Sequence, residues 1–218
     1  SHTFDMADLS SGQTDLFIVL PADERGPILA PYIRWLLSDL FSSIRRKRPA
    51  ERILVLIDEA FVLGRFEALL KAAGELPGYG VSIWTFWQSR QQLVEAYGKS
   101  GAEIFIDTSE VVTLFNLTRA NPEEAKHWSD ALGTFSGLVQ STTLDGSTSK
   151  PTTNLQPTAV HLVPPGSLAE LTLEKTIAFV NKRGVTSDPL LLDKTLTYKD
   201  PRFIGLLNFV APVDRAGG

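Results

Sequence analysis

A chain of 218 residues with 43% hydrophobic content can bury the core of one large domain or two small ones. The absence of cysteine excludes disulfides, thiolate zinc sites and cysteine nucleophiles. The net charge of −4 argues against a uniformly basic coat for nucleic acid, and no apolar run reaches the roughly 18 residues that a membrane span needs.

Strand-like and helix-like patterns alternate from residue 15 onward. Apolar runs of strand length are expected at residues 15–20, 53–57, 81–87 and 111–115. Helical spacing of apolar residues is expected between them, from Gly26-Pro27 to residue 44, over 65–76, and from Gln91 onward. This alternation predicts an α/β fold with a mainly parallel sheet flanked by helices.

A further helix is predicted to start at Asn121-Pro122-Glu123-Glu124. Asparagine caps helices well, proline fits the first helical position, and acids favour the positive end of the helix dipole. Trp128, at helical spacing with Leu132, is expected to pack this helix against the sheet.

The composition changes near residue 136. Residues 136–158 are rich in Ser, Thr and Gly, with too little apolar content to bury. We therefore expect a flexible loop or a ragged hairpin there, with a turn at Asp145-Gly146. A short turn or helix is expected at 168–171 and a strand at 176–180.

The segment from Arg52 to Ala60 reads R-I-L-V-L-I-D-E-A, an apolar run that ends in Asp58 and Glu59. Such a run predicts a strand covered by helices on both faces, and open α/β sheets bind ligands beyond the carboxyl ends of their strands. In P-loop nucleotide triphosphatases the first acid helps to hold Mg²⁺, usually through water, and the second polarises the attacking water. From the pair alone, an ordinary buried strand with Asp58 capping the next helix is an equal alternative.

Gln88 follows the apolar run 81–87, on the strand expected beside the acid pair. A side-chain amide in this position can orient the attacking water or sense the γ phosphate, as glutamine does in other nucleotide triphosphatases. The alternative is a polar residue at a helix N-terminus, beside a Ser89 cap.

The phosphate-binding pattern G-x-x-x-x-G-K-[ST] does not occur in this sequence. The backbone cradle and the lysine that would hold the β and γ phosphates are therefore missing. The start at Ser1-His2-Thr3, without a methionine, favours a fragment of a larger nucleotide triphosphatase. Because metal and water cannot act on a phosphate that no group holds, we expect negligible ATP hydrolysis by this polypeptide alone.

One basic run, Arg45 to Arg48, stands out against the negative net charge. Pro49 follows at once, and cations favour helix C-termini, so the run is expected to be the solvated end of a helix. A contact with DNA phosphates is the alternative.

Several short segments occur together in a fixed order. After the acid pair they read E-A-F-V-L-G-R-F at 59–66, L-P-G-Y-G-V at 76–81, Q-S-R-Q-Q-L at 88–93, Y-G-K-S-G-A-E at 97–103 and Y-K-D-P-R-F at 198–203. This order resembles the type IV coupling proteins, the TraG-like and TraD-like ATPases of bacterial conjugation and type IV secretion. The matches cover most of residues 12–204. Trp84 and Trp87 are bulkier than the family pattern around the strand that precedes Gln88.

The resemblance implies that residues 1–218 are a partial RecA-like motor domain, the Walker B half of a P-loop NTPase core without its Walker A half. It implies that Asp58 is the acid associated with Mg²⁺, that Glu59 is the catalytic glutamate, and that Gln88 is the γ-phosphate sensor. ATP and Mg²⁺ are then the cofactors of the full-length parent.

For the parent, the resemblance also implies a hexameric ring at the cytoplasmic face of the bacterial inner membrane. Its partners would be DNA, relaxosome or secreted protein substrates, and components of the secretion channel. The fragment alone is expected to be a monomer or a weak dimer.

Two other functions compete with the motor. One is a non-catalytic receptor module of similar fold that recruits secreted proteins or relaxosome components. The other is a metal-dependent hydrolase that uses Asp58 and Glu59 directly, although His2, His127 and His161 do not have ligand spacing.

Overall fold

The computed structural model describes residues 6–9, 28–144, 151–181, 188–197 and 199–203. The predicted strand at 15–20, the helix start at Gly26-Pro27 and the turn at Asp145-Gly146 lie outside these residues. The chain divides into two compact units, Ser1–Val112 with Val180–Ser187, and Thr113–Phe179 with Asp188–Gly218. The single motor domain expected for residues 1–218 stays a prediction.

The first unit alternates helices and strands. Its helices are α1 (Met6–Leu9), α2 (Ala30–Arg46), α3 (Glu67–Glu75) and α4 (Arg90–Thr108), and its strands are β1 (Ile53–Ile57) and β2 (Val81–Thr85). Short 3-10 turns at Ala60–Leu63 and Leu76–Tyr79 follow β1 and α3. The predicted strands at 53–57 and 81–87 and the helix at 65–76 are thus confirmed, with boundaries shifted by one or two residues.

β1 and β2 pair in parallel, with Ile53 opposite Val81 and Ile57 opposite Thr85. Val55 and Ile57 face a core built with apolar side chains of α2, α3 and α4. On the other face, Leu54, Leu56 and Trp84 are each more than half exposed. Burial thus alternates along β1 with its two-residue period, and in the described residues helices pack against one face of the strand.

The basic run ends α2, as expected for a helix terminus. Arg45 and Arg46 lie in the last helical turn. Arg45 binds Glu75 through Nε and Nη2, at 3.1 and 3.0 Å, and Arg46 lies 3.8 Å from Asp39. These neighbours favour the structural interpretation of the run over a phosphate contact.

The remaining elements follow Ser109 along the chain. They are β3 (Val111–Leu114), α5 (Pro122–Leu132), β4 (Thr134–Leu144), β5 (Pro151–His161), α6 (Pro165–Glu174), β6 (Lys175–Val180) and β7 (Leu190–Asp193). β3, β6 and β7 form a sheet in that order, and β6 pairs with β7 in antiparallel fashion. Among the described helices, none is long and apolar enough to cross a bilayer.

The helix start at Asn121 is confirmed. The Asn121 side chain accepts a hydrogen bond from the backbone N–H of Glu124 at 3.2 Å, and Pro122 opens α5. Trp128 is buried, as expected, and its ring lies 5.8 Å from that of Phe179 in β6.

The Ser/Thr-rich segment forms a hairpin rather than an open loop in its described residues. β4 and β5 pair in antiparallel fashion over an unbroken register, from Thr134 opposite His161 to Leu144 opposite Pro151. Of the two forms expected for 136–158, the structure thus contains the hairpin, without the irregularity that was expected of it. The flexibility of this segment stays a prediction.

Candidate functional site

The acid pair and Gln88 lie beyond the carboxyl ends of two neighbouring parallel strands. β1 ends at Ile57 and β2 at Thr85, and these two residues are opposite each other in the register. Asp58, Glu59 and Gln88 are all exposed. The three residues that the sequence singled out therefore share one edge of the sheet, where ligands of α/β proteins bind.

Backbone hydrogen bonds continue from one strand exit to the other. The N–H of Phe86 donates to the carbonyl oxygen of Ile57 at 3.0 Å, and the N–H of Ala60 donates to the carbonyl oxygen of Phe86 at 3.1 Å. The turn that carries Asp58 and Glu59 is thus hydrogen-bonded through Ala60 to Phe86, two residues before Gln88.

Glu59 has a left-handed backbone, with φ 51° and ψ 50°. This conformation is uncommon for a residue with a Cβ, and strained residues of this kind concentrate at functional sites. Its backbone N–H donates to Oδ1 of Asp58 at 3.0 Å. Asp58 therefore does not cap a following α-helix, because a 3-10 turn follows and Glu59 holds its cap position.

Arg34 anchors the turn after the acids to α2. Its Nη1 donates to the carbonyl oxygen of Leu63 at 2.6 Å. The next residue, Gly64, has φ +60°, and its backbone lies beside the same guanidinium. Arg34 was not identified from sequence, because a lone arginine on a helix carries no signal of a partner 29 residues away.

Gln88 directly precedes Ser89, which holds the cap position of α4 as expected. The Ser89 side chain makes no cap hydrogen bond. Instead, the backbone N–H of Gln88 donates to Oε1 of Gln92 at 2.9 Å. This leaves both interpretations of Gln88 compatible with the geometry, since a residue beside a helix cap can also face a ligand.

The Trp87 side chain, which departs from the family pattern, belongs to an aromatic cluster under the site. Its ring meets those of Tyr97 and Phe105 edge-on, at 6.2 and 6.0 Å. Its indole N–H donates to Oγ1 of Thr85 at 2.9 Å. The bulky residue thus fixes the chain immediately before Gln88.

The Y-G-K-S-G-A-E segment forms a kink in α4. Gly98 has φ 73° and ψ 169°, a conformation open essentially only to glycine. Beyond the kink, a Cβ on Gly101 would lie 2.8 Å from Cβ of Tyr97. The backbone conformation thus explains the glycine at position 98, and the close approach of Tyr97 explains the glycine at position 101.

Tyr97 links this segment to α3. Its hydroxyl donates to the carbonyl oxygen of Phe66 at 3.3 Å, and the side chain is buried. Burial raises the pKa of Tyr97 to about 12. The phenol is therefore a neutral structural donor at physiological pH.

The exposed carboxylates suit Mg²⁺ held through water. Mg²⁺ takes one or two carboxylates, keeps several waters and completes its shell with substrate phosphates. The Asp58 carboxylate uses Oδ1 for the Glu59 N–H, and a carboxylate has acceptor sites left for metal-bound water. In the described parts of the chain, no three His, Asp or Glu side chains group as a metal site.

The Y-K-D-P-R-F segment at 198–203 forms a small turn in its described part. Arg202 binds Asp200 through Nε and Nη2, the latter at 2.6 Å from Oδ2. These bonds lower the pKa of Asp200 to about 2. Tyr198, the first residue of the motif, lies outside the described residues.

Residues 1–214 match a protein family described as "Type IV secretory system Conjugative DNA transfer". The chain belongs to this family. A type IV secretion system-coupling protein VirD4 from Bartonella quintana is 29% identical over 114 residues, 51% of this chain and 18% of the relative. Protein VirD4 from Rhizobium radiobacter is 27% identical over 143 residues, 64% of this chain and 20% of the relative. The chain thus spans about a fifth of the length of these coupling proteins.

Solved structures of the conjugative coupling protein TrwB have the same fold. A form of TrwB in complex with sulphate is 22% identical, with a TM-score of 0.65 over 92% of this chain and 46% of TrwB. Similar values hold for TrwB with the non-hydrolysable ATP analogue ADPNP and with ADP and Mg²⁺, at TM-scores of 0.65 and 0.64. The RecA-like α/β fold expected from the sequence is thereby confirmed.

Proposed function

We propose that this chain carries the hydrolytic edge of the ATP site of a type IV coupling protein. The supporting observation is the adjacency of two parallel strand ends, one followed by Asp58 and Glu59 and the other by Gln88. In the proposed parent, ATP hydrolysis drives the transfer of DNA or protein substrates, and the family's description as conjugative DNA transfer supports this.

In this proposal Glu59 polarises the water that attacks the γ phosphate. Its side chain is exposed, and its backbone is left-handed just after the end of β1. The hydrogen bonds from Glu59 N–H to Asp58 and from Ala60 N–H to Phe86 hold this turn in place. Enzymes accelerate phosphoryl transfer by positioning the reacting groups and stabilising charge. A carboxylate held in place beside the attacking water serves this purpose.

Asp58 is proposed to hold Mg²⁺ through a bound water. When present, the ion neutralises charge on the β and γ phosphates. Asp58 contributes an exposed carboxylate whose orientation is set by the hydrogen bond from the Glu59 N–H, at 3.0 Å.

Gln88 is proposed to contact the γ phosphate or the attacking water, as the sensor of the nucleotide state. Its exposed side chain lies on the strand exit next to the acids. ATP as the nucleotide is supported by the TrwB structures, which are complexes with an ATP analogue and with ADP and Mg²⁺.

The proposal predicts that this polypeptide alone does not hydrolyse ATP above background. The sequence contains no G-x-x-x-x-G-K-[ST] to hold the phosphates. The measurement is phosphate release by the purified chain with ATP and Mg²⁺, with Glu59→Gln as control. Turnover that requires both Mg²⁺ and Glu59 would refute this part of the proposal.

We further propose that the parent is a homo-hexamer at the cytoplasmic face of the bacterial inner membrane. Its partners are DNA, relaxosome or secreted protein substrates, and the secretion channel. Membership in the conjugative DNA transfer family supports this assignment. The fragment alone is proposed to be a monomer or a weak dimer, which sedimentation of the purified chain tests.

The decisive experiment is Glu59→Gln in the full-length coupling protein that carries this sequence. We expect loss of ATP hydrolysis and of substrate transfer, with substrate binding retained. Glu95→Gln, an exposed change of the same type on α4, is the matched control and should leave transfer intact. Transfer that survives Glu59→Gln would instead favour the non-catalytic receptor module.

A further inference from the structure

We propose that Gln92 is a positioning residue for Gln88. The side-chain amide of Gln92 fixes the backbone from which the Gln88 side chain extends at the sheet edge. This inference rests on the proposed function, because it concerns the same site.

The geometry that supports the inference is one hydrogen bond across the start of α4. Oε1 of Gln92 accepts from the backbone N–H of Gln88 at 2.9 Å. Because the N–H can face only an acceptor, the carbonyl oxygen of the Gln92 amide is the atom turned toward Gln88. Gln92 is half-buried, whereas the Gln88 side chain is exposed.

This bond differs from the usual arrangement at a helix start. In a capping box the third helical residue, Gln or Glu, accepts from the N–H of the cap residue, whose side chain bonds back to the helix. Here the cap residue Ser89 makes no side-chain cap bond, and Gln92 accepts one residue earlier. The bond is therefore directed to the candidate sensor instead of to the cap.

Gln92 itself stands on a well-anchored part of α4. The next residue, Leu93, is buried in the core of the first unit. One turn further on, the Tyr97 hydroxyl binds the carbonyl oxygen of Phe66, and the Tyr97 ring contacts Trp87. The hydrogen bond from Gln92 therefore ties the exposed backbone at residue 88 to a helix that is packed in the core.

The Gln88 backbone is thus held from two sides. On one side Trp87 is fixed by its ring contacts and by its N–H bond to Thr85. On the other side Gln92 fixes the backbone N–H of Gln88 itself.

Since small misplacements of a catalytic group lower the rate of turnover, loss of the Gln92 bond is expected to lower kcat. Nucleotide affinity should change little, because Gln92 is argued to act through Gln88 and not on the nucleotide.

The test uses three variants of the full-length coupling protein that carries this sequence. Gln92→Met removes the acceptor with little change in length, Gln92→Glu keeps an acceptor, and Gln91→Met makes the same change at an exposed neighbour. We expect Gln92→Met to lower kcat for ATP about 10-fold with KM within about 2-fold. Gln92→Glu should restore most of the turnover, and Gln91→Met should match the wild type.

Two further variants separate this inference from the proposed function. Glu59→Gln and Gln88→Ala in the same protein should both abolish hydrolysis. If neither does, the proposed function is wrong. If both do and Gln92→Met still turns over like Gln91→Met, the positioning role of Gln92 is wrong. Equal losses in Gln92→Met and Gln92→Glu would also overturn it, because an acceptor would then not be the cause.

A second measurement needs no catalysis and uses this 218-residue chain. The Gln88 amide should exchange its hydrogen with solvent about 10-fold faster in Gln92→Met, and at nearly the wild-type rate in Gln92→Glu. An unchanged Gln88 exchange rate in Gln92→Met would overturn the inference whatever the kinetics.

Discussion

The backbone N–H of Ala60 donates to the carbonyl oxygen of Phe86 at 3.1 Å, beyond the last paired residues of β1 and β2. Ala60 directly follows the acid pair, and Phe86 lies two residues before Gln88. The two strand exits are therefore one hydrogen-bonded unit of backbone. A distortion of either exit is expected to displace functional groups on both.

Glu59 adopts its left-handed backbone at a cost in stability, and this can be measured. Glu59→Gly should raise the free energy of unfolding by up to about 1 kcal/mol, because the left-handed penalty of roughly 1–2 kcal/mol is only partly offset by the larger unfolded-state entropy of glycine. Glu59→Gln keeps a Cβ and the strain, so it should stay within about 0.5 kcal/mol of the wild type.

Urea unfolding of the purified variants measures this difference. A Glu59→Gly protein less stable than Glu59→Gln would mean that the conformation at residue 59 is not strained. If the prediction holds, the site retains a residue that weakens the fold, as expected where a carboxylate is needed for chemistry.

Gly101, just beyond the kink of α4, should not tolerate alanine. A Cβ on Gly101 would lie 2.8 Å from Cβ of Tyr97, an atom that cannot move without the backbone. Gly101→Ala should therefore destabilise the chain by about 1–3 kcal/mol. The matched control is Gly74→Ala in α3, where nothing lies within 4 Å and alanine should stabilise by about 0.5–1 kcal/mol. Shifts of the same sign in both variants would contradict this explanation of the motif.

Sequence patterns were enough to place the candidate site residues at one sheet edge, because that placement depends on local features. Strand ends can be read from apolar runs, and parallel neighbours bring their ends together, so Asp58, Glu59 and Gln88 could be assigned to one edge before the structure. The left-handed backbone of Glu59 could not be assigned. The neighbouring hydrogen bonds with Phe86 join the turn to a residue far along the chain, and a glutamate carries no preference for that conformation.

The second unit was harder to predict for a different reason. The expectation for 136–158 rested on apolar content, but the backbone pairing of β4 with β5 runs through that segment. β7, with Leu190, Leu191 and Leu192 all exposed, was not assigned. All four residues of β7 are exposed, so the strand lacks the alternation of buried and exposed residues that identifies a strand in a sequence.

Tyr97 is expected to make the first unit less stable at alkaline pH. Burial is the main cause that raises its pKa from 10.0 to about 12. In the unfolded chain the phenol ionises from pH 10 upward, while in the folded chain it stays protonated. The contribution of Tyr97 to stability is thus complete below pH 10 and is lost as the pH rises toward about 12.

The measurement is tyrosinate absorbance against pH, for the wild type and for Tyr97→Phe. The difference between the two titrations should show a phenol that ionises near pH 12. A difference curve centred at pH 10 would show that Tyr97 is open to water. Tyr97→Phe should also reduce the loss of stability above pH 10.

Lys194 is predicted to stabilise the second unit through its hydrogen bonds. Its Nζ donates to the carbonyl oxygens of Thr172 and Leu173, at 2.6 and 2.9 Å, and to Oδ1 of Asn116 at 2.6 Å. It thereby caps the C-terminal end of α6 and holds Asn116, whose φ is 56°. A cation is favoured at this end of a helix, so the ammonium contributes both charge and three hydrogen bonds.

Lys194→Met keeps most of the side-chain volume and removes every donor. The variant should lose about 1–3 kcal/mol of stability, because three hydrogen bonds from a charged donor are removed, one of them to the partly buried carbonyl oxygen of Thr172. Lys126→Met, at an exposed position of α5, is the matched control and should change stability by less than about 0.5 kcal/mol. Thermal unfolding of the two variants and the wild type measures the loss. Equal effects of the two substitutions would show that the hydrogen bonds of Lys194 add nothing beyond a surface charge.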